Sequence, residues 1–596
     1  MNIEIPSASA EHFWLSATHA RVSHLRGPGL RSEEDAANFR KLLLLERDAL
    51  QAAMRSINAE INTLCPISRL PPELLALVFS QLVKDETAEC LRLHESTALK
   101  WTSVTRVCHQ WRQTAFQQSH LWRHIVLPFS SESLLDEFIS RSNNAPLVLS
   151  WISKSRGPHR RPFLWHALKT MDRVERISIV NFDGNVPDLC SLLVTPAPLL
   201  EAVDVGMHFL ASEPIHLPST LFADHAPRLR HISLRNVAPF PWSSSFPNIV
   251  SLKLTGASIT PPPVPRLLES LRKMPLLEVL QLEHCLPVFP QGVSADDDMV
   301  APGHLKKLSL YDDLEKCVGF LQHLRMPQSS VMLHLNCKTE GDATAFRALY
   351  PHIAAAYSPQ QITSLKAESF YVRAIEFSSY RGDAENIWET RDLSLSFWWE
   401  DLSAGRTVYM LQELVKVVGI RELRHLHLDL PDSFPPDPPD FTESLWLDVF
   451  AACPLLVSIN VENESAISLC RALATVTVDG VVWQRNGMED SHSNSTGALV
   501  WPDLRVISLS KAPMKHVYDD GRSLHKVFAQ FLRDRNALKC PVDTLDLNSC
   551  SVKPRWLRRF EDIVENVIGW DDSDDEDFEF VDSVENSEDD GDGAAS

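Results

Sequence analysis

From Phe39 the chain alternates apolar and polar residues with a helical period, and Leu43, Leu50, Ile57 and Leu64 fall seven apart. Met54 and Ile61 fill intermediate positions, and Glu46, Arg47, Asp48 and Glu60 lie between them. An a/d stripe of about four heptads predicts a helix over residues 34–65. Glu46 or Arg47 stands where a d residue belongs, so two uses stay open. The stripe makes a coiled-coil contact, with a second copy or a partner, or it packs onto the neighbouring domain. Residues 1–33 carry no convincing period and are expected to be loose. Pro66 stops the helix.

Leu70-Pro71-Pro72-Glu73 opens the next element, in which Leu74, Val78 and Leu82 step by four and Leu75 and Phe79 widen the stripe. Prolines in a first helical turn forfeit no hydrogen bond, and an acidic residue suits the positive end of the helix dipole. After the mostly polar stretch Lys84 to Leu99, helical spacing resumes through Trp101, Val104, Val107, Cys108, Trp111 and Ala115. A third segment holds Leu121, Trp122 and Ile125. These three short helices predict a small bundle over 66–127, followed by a connecting region at 128–170.

Beyond residue 170 a phrase recurs, apolar-x-x-apolar-x-apolar. Copies begin at Leu200, Leu229, Ile249, Leu277 and Leu305, and later at Leu423, Leu456, Leu504 and Val542. Between residues 203 and 308 the spacings are 29, 20, 28 and 28, and then they become irregular. Period and phrase are those of a leucine-rich repeat, in which each unit gives a short parallel strand and a returning segment. The copies are degenerate, most lack the asparagine-ladder position, and the stretch from Leu335 to Arg421 fits poorly. Pro198, Pro227, Pro247, Pro275, Pro454 and Pro502 precede copies and are expected to deliver the chain extended into a strand. The array is assigned to 171–553 and a capping helix to 554–569, carried by Trp556, Leu557, Phe560, Val564 and Val567 and stopped by Gly569. The fold class is thus α/β: an N-terminal helix, a three-helix bundle and an irregular repeat solenoid.

Charge adds a tail. Of a net −21, thirteen acidic residues and no Lys or Arg fall in 571–596, so residues 570–596 are expected to be disordered. Nothing forms the basic footprint that attracts a phosphate backbone, which disfavours nucleic acid. Met1 to Ala20 lacks the pattern of a signal peptide, and no apolar run approaches a membrane span. Eleven scattered cysteines without a C-x-x-C pair suit reduced thiols, so a cytoplasmic or nuclear location is expected.

The run Leu70-Pro71-Pro72-Glu73-Leu74, with Val107-Cys108-His109-Gln110-Trp111-Arg112 and Leu121-Trp122 following in order, resembles the F-box. A heptad helix, an F-box and degenerate leucine-rich repeats in one chain are also similar to F-box proteins abundant in mushroom-forming fungi. The stretch Lys84 to Lys100 is longer than in compact family members. The resemblance implies a Skp-type linker protein as partner and, through it, a cullin. It puts linker contacts on Leu70, Pro71, Leu74, Leu75, Val78, Leu82 and Trp111. For Phe79, Val107 and Trp111 a core role is an equal alternative.

Residues between the repeat leucines point outward on the strands, among them His231, Ser233, Ser251, Lys253, Lys307, Ser309, His425, His427, Thr544 and Asp546. Such a face either recruits a protein target, whose identity no residue gives, or is simply solvated. The pairs His425/His427 and His120/His124 lack Cys or carboxylate at ligand spacing, so no metal is expected. The Phe397-Trp398-Trp399 cluster reads as packing. No nucleophile elbow, phosphate loop or His-Glu-x-x-His helix is present, and no cofactor is implied. Ser573 and Ser587 precede acidic runs that suit acid-directed kinases, or they belong to a merely solubilising tail. The reading is a non-catalytic adaptor of a ubiquitin ligase, with a repeat-based scaffold as the alternative.

Overall fold

The computed structural model describes most of residues 7–569; the longer stretches outside it are 1–6, 26–31, 153–169, 208–214, 291–298, 381–392, 430–442, 479–500 and 570–596. The acidic tail, with Ser573 and Ser587, and Trp399 lie outside the described residues. The chain divides into two compact units, Met1–Arg173 and Val174–Ser596.

In the first unit, α1 spans Ser7–Leu25 and α2 spans Glu33–Thr63. The first corrects the expectation of a loose N-terminus. It has no continuous apolar stripe, so periodicity cannot reveal it, and it is held laterally by Arg21, which donates to Glu46 of α2 at 2.9 Å. A capping box starts α2: Ser32 Oγ accepts from the Asp35 N–H, and the Asp35 carboxylate accepts from the Ser32 N–H, both at 3.0 Å. No residue of α2 is buried.

Then come α3 (Pro72–Leu93), α4 (His109–Gln117), β1 (His124–Leu127), α5 (Glu132–Arg141) and β2 (Leu147–Ile152), with 3-10 turns at Pro66–Arg69, Lys100–Arg106 and Ser119–Leu121. The second predicted helix is therefore two pieces, and the third is one turn feeding β1, which runs parallel to β2. The region expected only to connect is structural. Phe138 of α5 is buried with its ring 4.9 Å from Trp122, and Trp122 stands 5.0 Å from Trp101.

The second unit is dominated by parallel strands. In chain order they are β3 (Val174–Phe182), β4 (Ala202–Met207), β5 (Ile215–His216), β6 (His231–Arg235), β7 (Val237–Ala238), β8 (Ser251–Thr255), β9 (Val279–Glu283), β10 (Lys307–Asp313) and β11 (Met332–Lys338). β5 and β7 pair with each other; the rest form one parallel ladder. The repeat phrase explains the register. Val203, Ile232, Leu252, Leu280 and Leu308 stand side by side, as do Val205, Leu234, Leu254, Leu282 and Leu310, and all are buried.

The prolines act one step earlier than expected. The N–H groups of Leu200, Leu229, Ile249, Leu277, Leu456 and Leu504 each donate to the carbonyl three residues back. Pro198, Pro227, Pro247, Pro275, Pro454 and Pro502 occupy the second position of those turns, where proline's fixed φ fits. They shape the turn that aims each strand, and the strand itself begins later.

Where the phrase fades, the ladder changes hand. β12 (Ser364–Ser369), β13 (Ala374–Tyr380) and β14 (Leu393–Trp398) enter in reverse. β14 pairs with β11, β13 is antiparallel between β14 and β12, and β12 is parallel to β15 (His425–Asp429). Parallel pairing resumes through β16 (Ser458–Glu462), β17 (Val506–Ser510), β18 (Thr544–Asp546) and β19 (Asn566–Ile568). The last corrects the capping helix: Pro554–Glu561 is helical and buries Trp556, Leu557 and Phe560, but Val567 belongs to an edge strand. Gly569, at φ +79, ends that strand; a Cβ there would lie 2.0 Å from Asp546 Oδ1.

Candidate functional site

Two prolines set the entry of α3: the Pro71 carbonyl accepts from the N–H groups of Leu74 and Leu75, and Pro72 takes the first helical position. The helix then sorts its side chains by period. Leu75, Ala76, Phe79 and Val83 are sealed inside, whereas Leu74, Leu77, Val78 and Leu82 are 47%, 65%, 46% and 43% exposed. Among the residues expected to meet the linker, Pro71, Leu74, Val78 and Leu82 are exposed and Leu70 is half-buried. Leu75 is corrected to a core residue, because it lies one step round the helix from Leu74 and faces the bundle. Trp111 is half-buried, its ring 5.2 Å from that of Phe79. Leu77 and Ile67 are exposed apolar groups that the sequence reading left out of the contact set, and Val107, for which core and contact stood equal, is exposed. The i, i+3, i+4 spacing of Leu74, Leu77 and Val78 was the available signal.

The long gap after α3 is bridged chemically. The Glu86 carboxylate accepts from the N–H groups of Lys100 and Trp101, at 2.6 and 2.5 Å, at the start of the Lys100–Arg106 turn. Cys108 plays a similar part for α4, its sulfur accepting from the Trp111 N–H at 3.5 Å. Arg112 donates to the Thr105 carbonyl at 2.8 Å, and Trp122 Nε1–H donates to the Ala115 carbonyl at 2.8 Å. Ser80 Oγ meets His120 Nε2 at 2.6 Å. Burial, followed by Arg123 and Lys84, holds His120 below its usual range. The second half of the motif thus braces the inner side of α3 and leaves the outer side bare.

In the second unit, alternation puts Ser233, Lys253, Gln281, Ser309 and His334 in one outward row. A trough of about 550 Å³ on this side is lined by Gln281, Glu283, Tyr311, His334, Asn336 and Glu376, among others. Burial and then Lys253 push the Lys307 ammonium below its ordinary value. The pair His425/His427, which has no carboxylate at ligand spacing in sequence, meets polar groups from neighbouring strands: His427 Nε2 lies 3.9 Å from both Glu368 and Glu462, and His425 Nδ1 is 2.8 Å from Ser458 Oγ. Phe397 is buried 4.2 Å from Phe346, centroid to centroid.

Compared with known families, residues 67–128 match the F-box-like model. The chain therefore carries an F-box-like domain, a module of protein interaction, whose matched stretch includes all of α3 and α4. No curated protein matches the chain. No helix among the described residues is long and apolar enough to cross a membrane.

Proposed function

We propose that this chain is a non-catalytic substrate adaptor: its F-box-like unit docks a Skp-type linker and, through it, a cullin, while the strand face of the second unit, read as a leucine-rich-repeat array, holds a protein target. Its contribution is proximity of target and ubiquitin donor. The carrying observation is the bare row Leu74, Leu77, Val78 and Leu82 on a helix whose other side is core.

Magnitudes limit what that row can do alone. Fully burying an aliphatic side chain gains roughly 1.5–3 kcal/mol, so four half-exposed ones offer about 4 kcal/mol before association costs. Micromolar affinity needs about 8 kcal/mol, so Pro71, Leu70 and polar rim contacts must contribute as well. In a pull-down with the full chain as bait, linker and cullin together are the expected catch. Linker without cullin would favour a scaffold that uses its F-box outside a ligase, and capture of neither would remove the proposal.

A second reading concerns α2. Met54, Ile57 and Ile61 on its C-terminal half and Leu64 at its C-cap are all exposed, beyond the Arg21–Glu46 contact with α1. That stripe supports a coiled-coil contact with a second copy or a partner.

A further inference from the structure

The reversed insertion puts an unusual line of charge on the outward side of the ladder. Register pairs Glu376 with Glu368 and Glu368 with Asp429, and the Leu428–Val461 pair brings Asp429 beside Glu462. Four carboxylates thus occupy one transverse row on four adjacent strands, a span of about 14 Å at ~4.8 Å per strand. Among the described residues Lys366 contacts Glu368, Lys511 lies 3.7 Å from Glu462, and Ser394 Oγ donates to Glu376 at 3.0 Å. Asp429 is met by the Asn463 amide at 3.4 Å.

Beside this row stands a buried group that wants a partner. Ser378 lies on the same strand face, two residues from Glu376, between Lys366 and Ser394 in register. It is 1% exposed and its hydroxyl has no hydrogen-bond partner. Asn336 Oδ1 and Asn460 Oδ1, acceptors on the same face, also lack one. A polar group left unsatisfied in the folded state is costly, and an incoming chain that supplies N–H and O–H groups relieves the cost.

We propose that the row Glu376, Glu368, Asp429 and Glu462 receives a lysine- or arginine-rich extended segment of the target protein. This rests on the adaptor reading and gives its unidentified target a chemistry. Among the described residues no His, Cys, Asp and Glu group of three fits a metal ion. A row four strands long suits a string of cationic side chains better than one point charge. The charge sign excludes a nucleic-acid backbone.

Asp429 registers the crowding of the row. Burial, then Glu462 and Glu368, raises its carboxyl to about 6, opposed weakly by Lys511 and Lys366. Neutralising it therefore removes a burial cost and a like-charge repulsion. Asp429→Asn should raise the melting temperature of the full chain at neutral pH yet weaken ligand binding, a combination that misfolding cannot give.

The probe is a labelled peptide of alternating Lys and Ser, with its Glu/Ser counterpart as control, titrated by fluorescence anisotropy into the full chain. The Lys peptide should bind and the Glu peptide should not. Glu368→Gln with Asp429→Asn should weaken binding about tenfold or more, while a full-length protein with its tail acids neutralised keeps it. Affinity should fall as pH drops through about 6 and Asp429, facing Glu368, Glu462, Lys366, Lys511 and His427, takes up a proton. Equal binding of the two peptides, or a loss that follows the tail and not the row, would overturn the proposal. Linker capture by the same variants stays intact if only the row is wrong, and fails in the wild type if the adaptor reading is wrong.

Discussion

Arg535 shows how one side chain can organise a junction. At 1% exposure, its guanidinium donates to the carbonyls of Cys540, Trp501, Leu504 and Pro502 at 3.0, 3.1, 3.2 and 3.4 Å. These groups flank the turn that aims β17, so the residue replaces water for several acceptors at once. Removing a buried charge while its acceptors stay buried costs more than the pair was worth. Arg535→Met should destabilise the fold by about 3 kcal/mol, read as a lower urea midpoint. Sequence could not single it out, because Arg533 two positions away looks the same and is exposed. Leu75 was misassigned for a related reason: Leu74 and Leu75 are chemically identical, and only the rotation of α3 that turns Phe79 towards Trp111 decides which is core.

At the scale of elements, legibility followed periodicity. Each copy of the recurring phrase falls on a parallel strand and α3 on a helix, because burying one face of a helix or strand imposes that period; α2 carries its heptads with no residue buried. What lacked a period went unseen. Helix α1 has no stripe, and β12 to β14 pair by a reversed path with partners distant in sequence, which no local phrase encodes. The prolines were visible but their role needed the turn geometry. The exposed stripe of α2 makes its own forecast. If two copies cover it, light scattering should give twice the chain mass for the wild type and the single mass for Ile57→Glu/Ile61→Glu, with the helical signal of the F-box-like unit retained. A wild type that stays at the single mass leaves a heterologous partner as the occupant.

For the molecule as a whole, pH tests how buried polar groups are held. His120, His231, His352, His427 and His525 are all held below their usual range, in each case chiefly by burial. A histidine depressed in the folded state contributes its full stability above its unfolded value near 6.5, and the contribution is lost as pH falls through the folded value. Asp429 acts in the opposite sense, since its raised carboxyl is most comfortable protonated. Five groups against one predict a lower melting temperature at pH 5.5 than at 7.5, measurable by calorimetry; an unchanged or higher value would mean that the histidines stay solvated.

The linker interface is tested most directly by calorimetric titration of the full chain with a purified Skp-type linker. Leu74, Leu77, Val78 and Leu82, joined by Leu70, Pro71 and polar rim contacts, lead us to predict micromolar or tighter binding with a negative heat-capacity change, the sign of apolar burial. Leu74→Asp/Val78→Asp should abolish the heat while the melting temperature holds, because neither side chain is in the core. No binding by the wild-type chain, or undiminished binding by the double variant, would contradict the account.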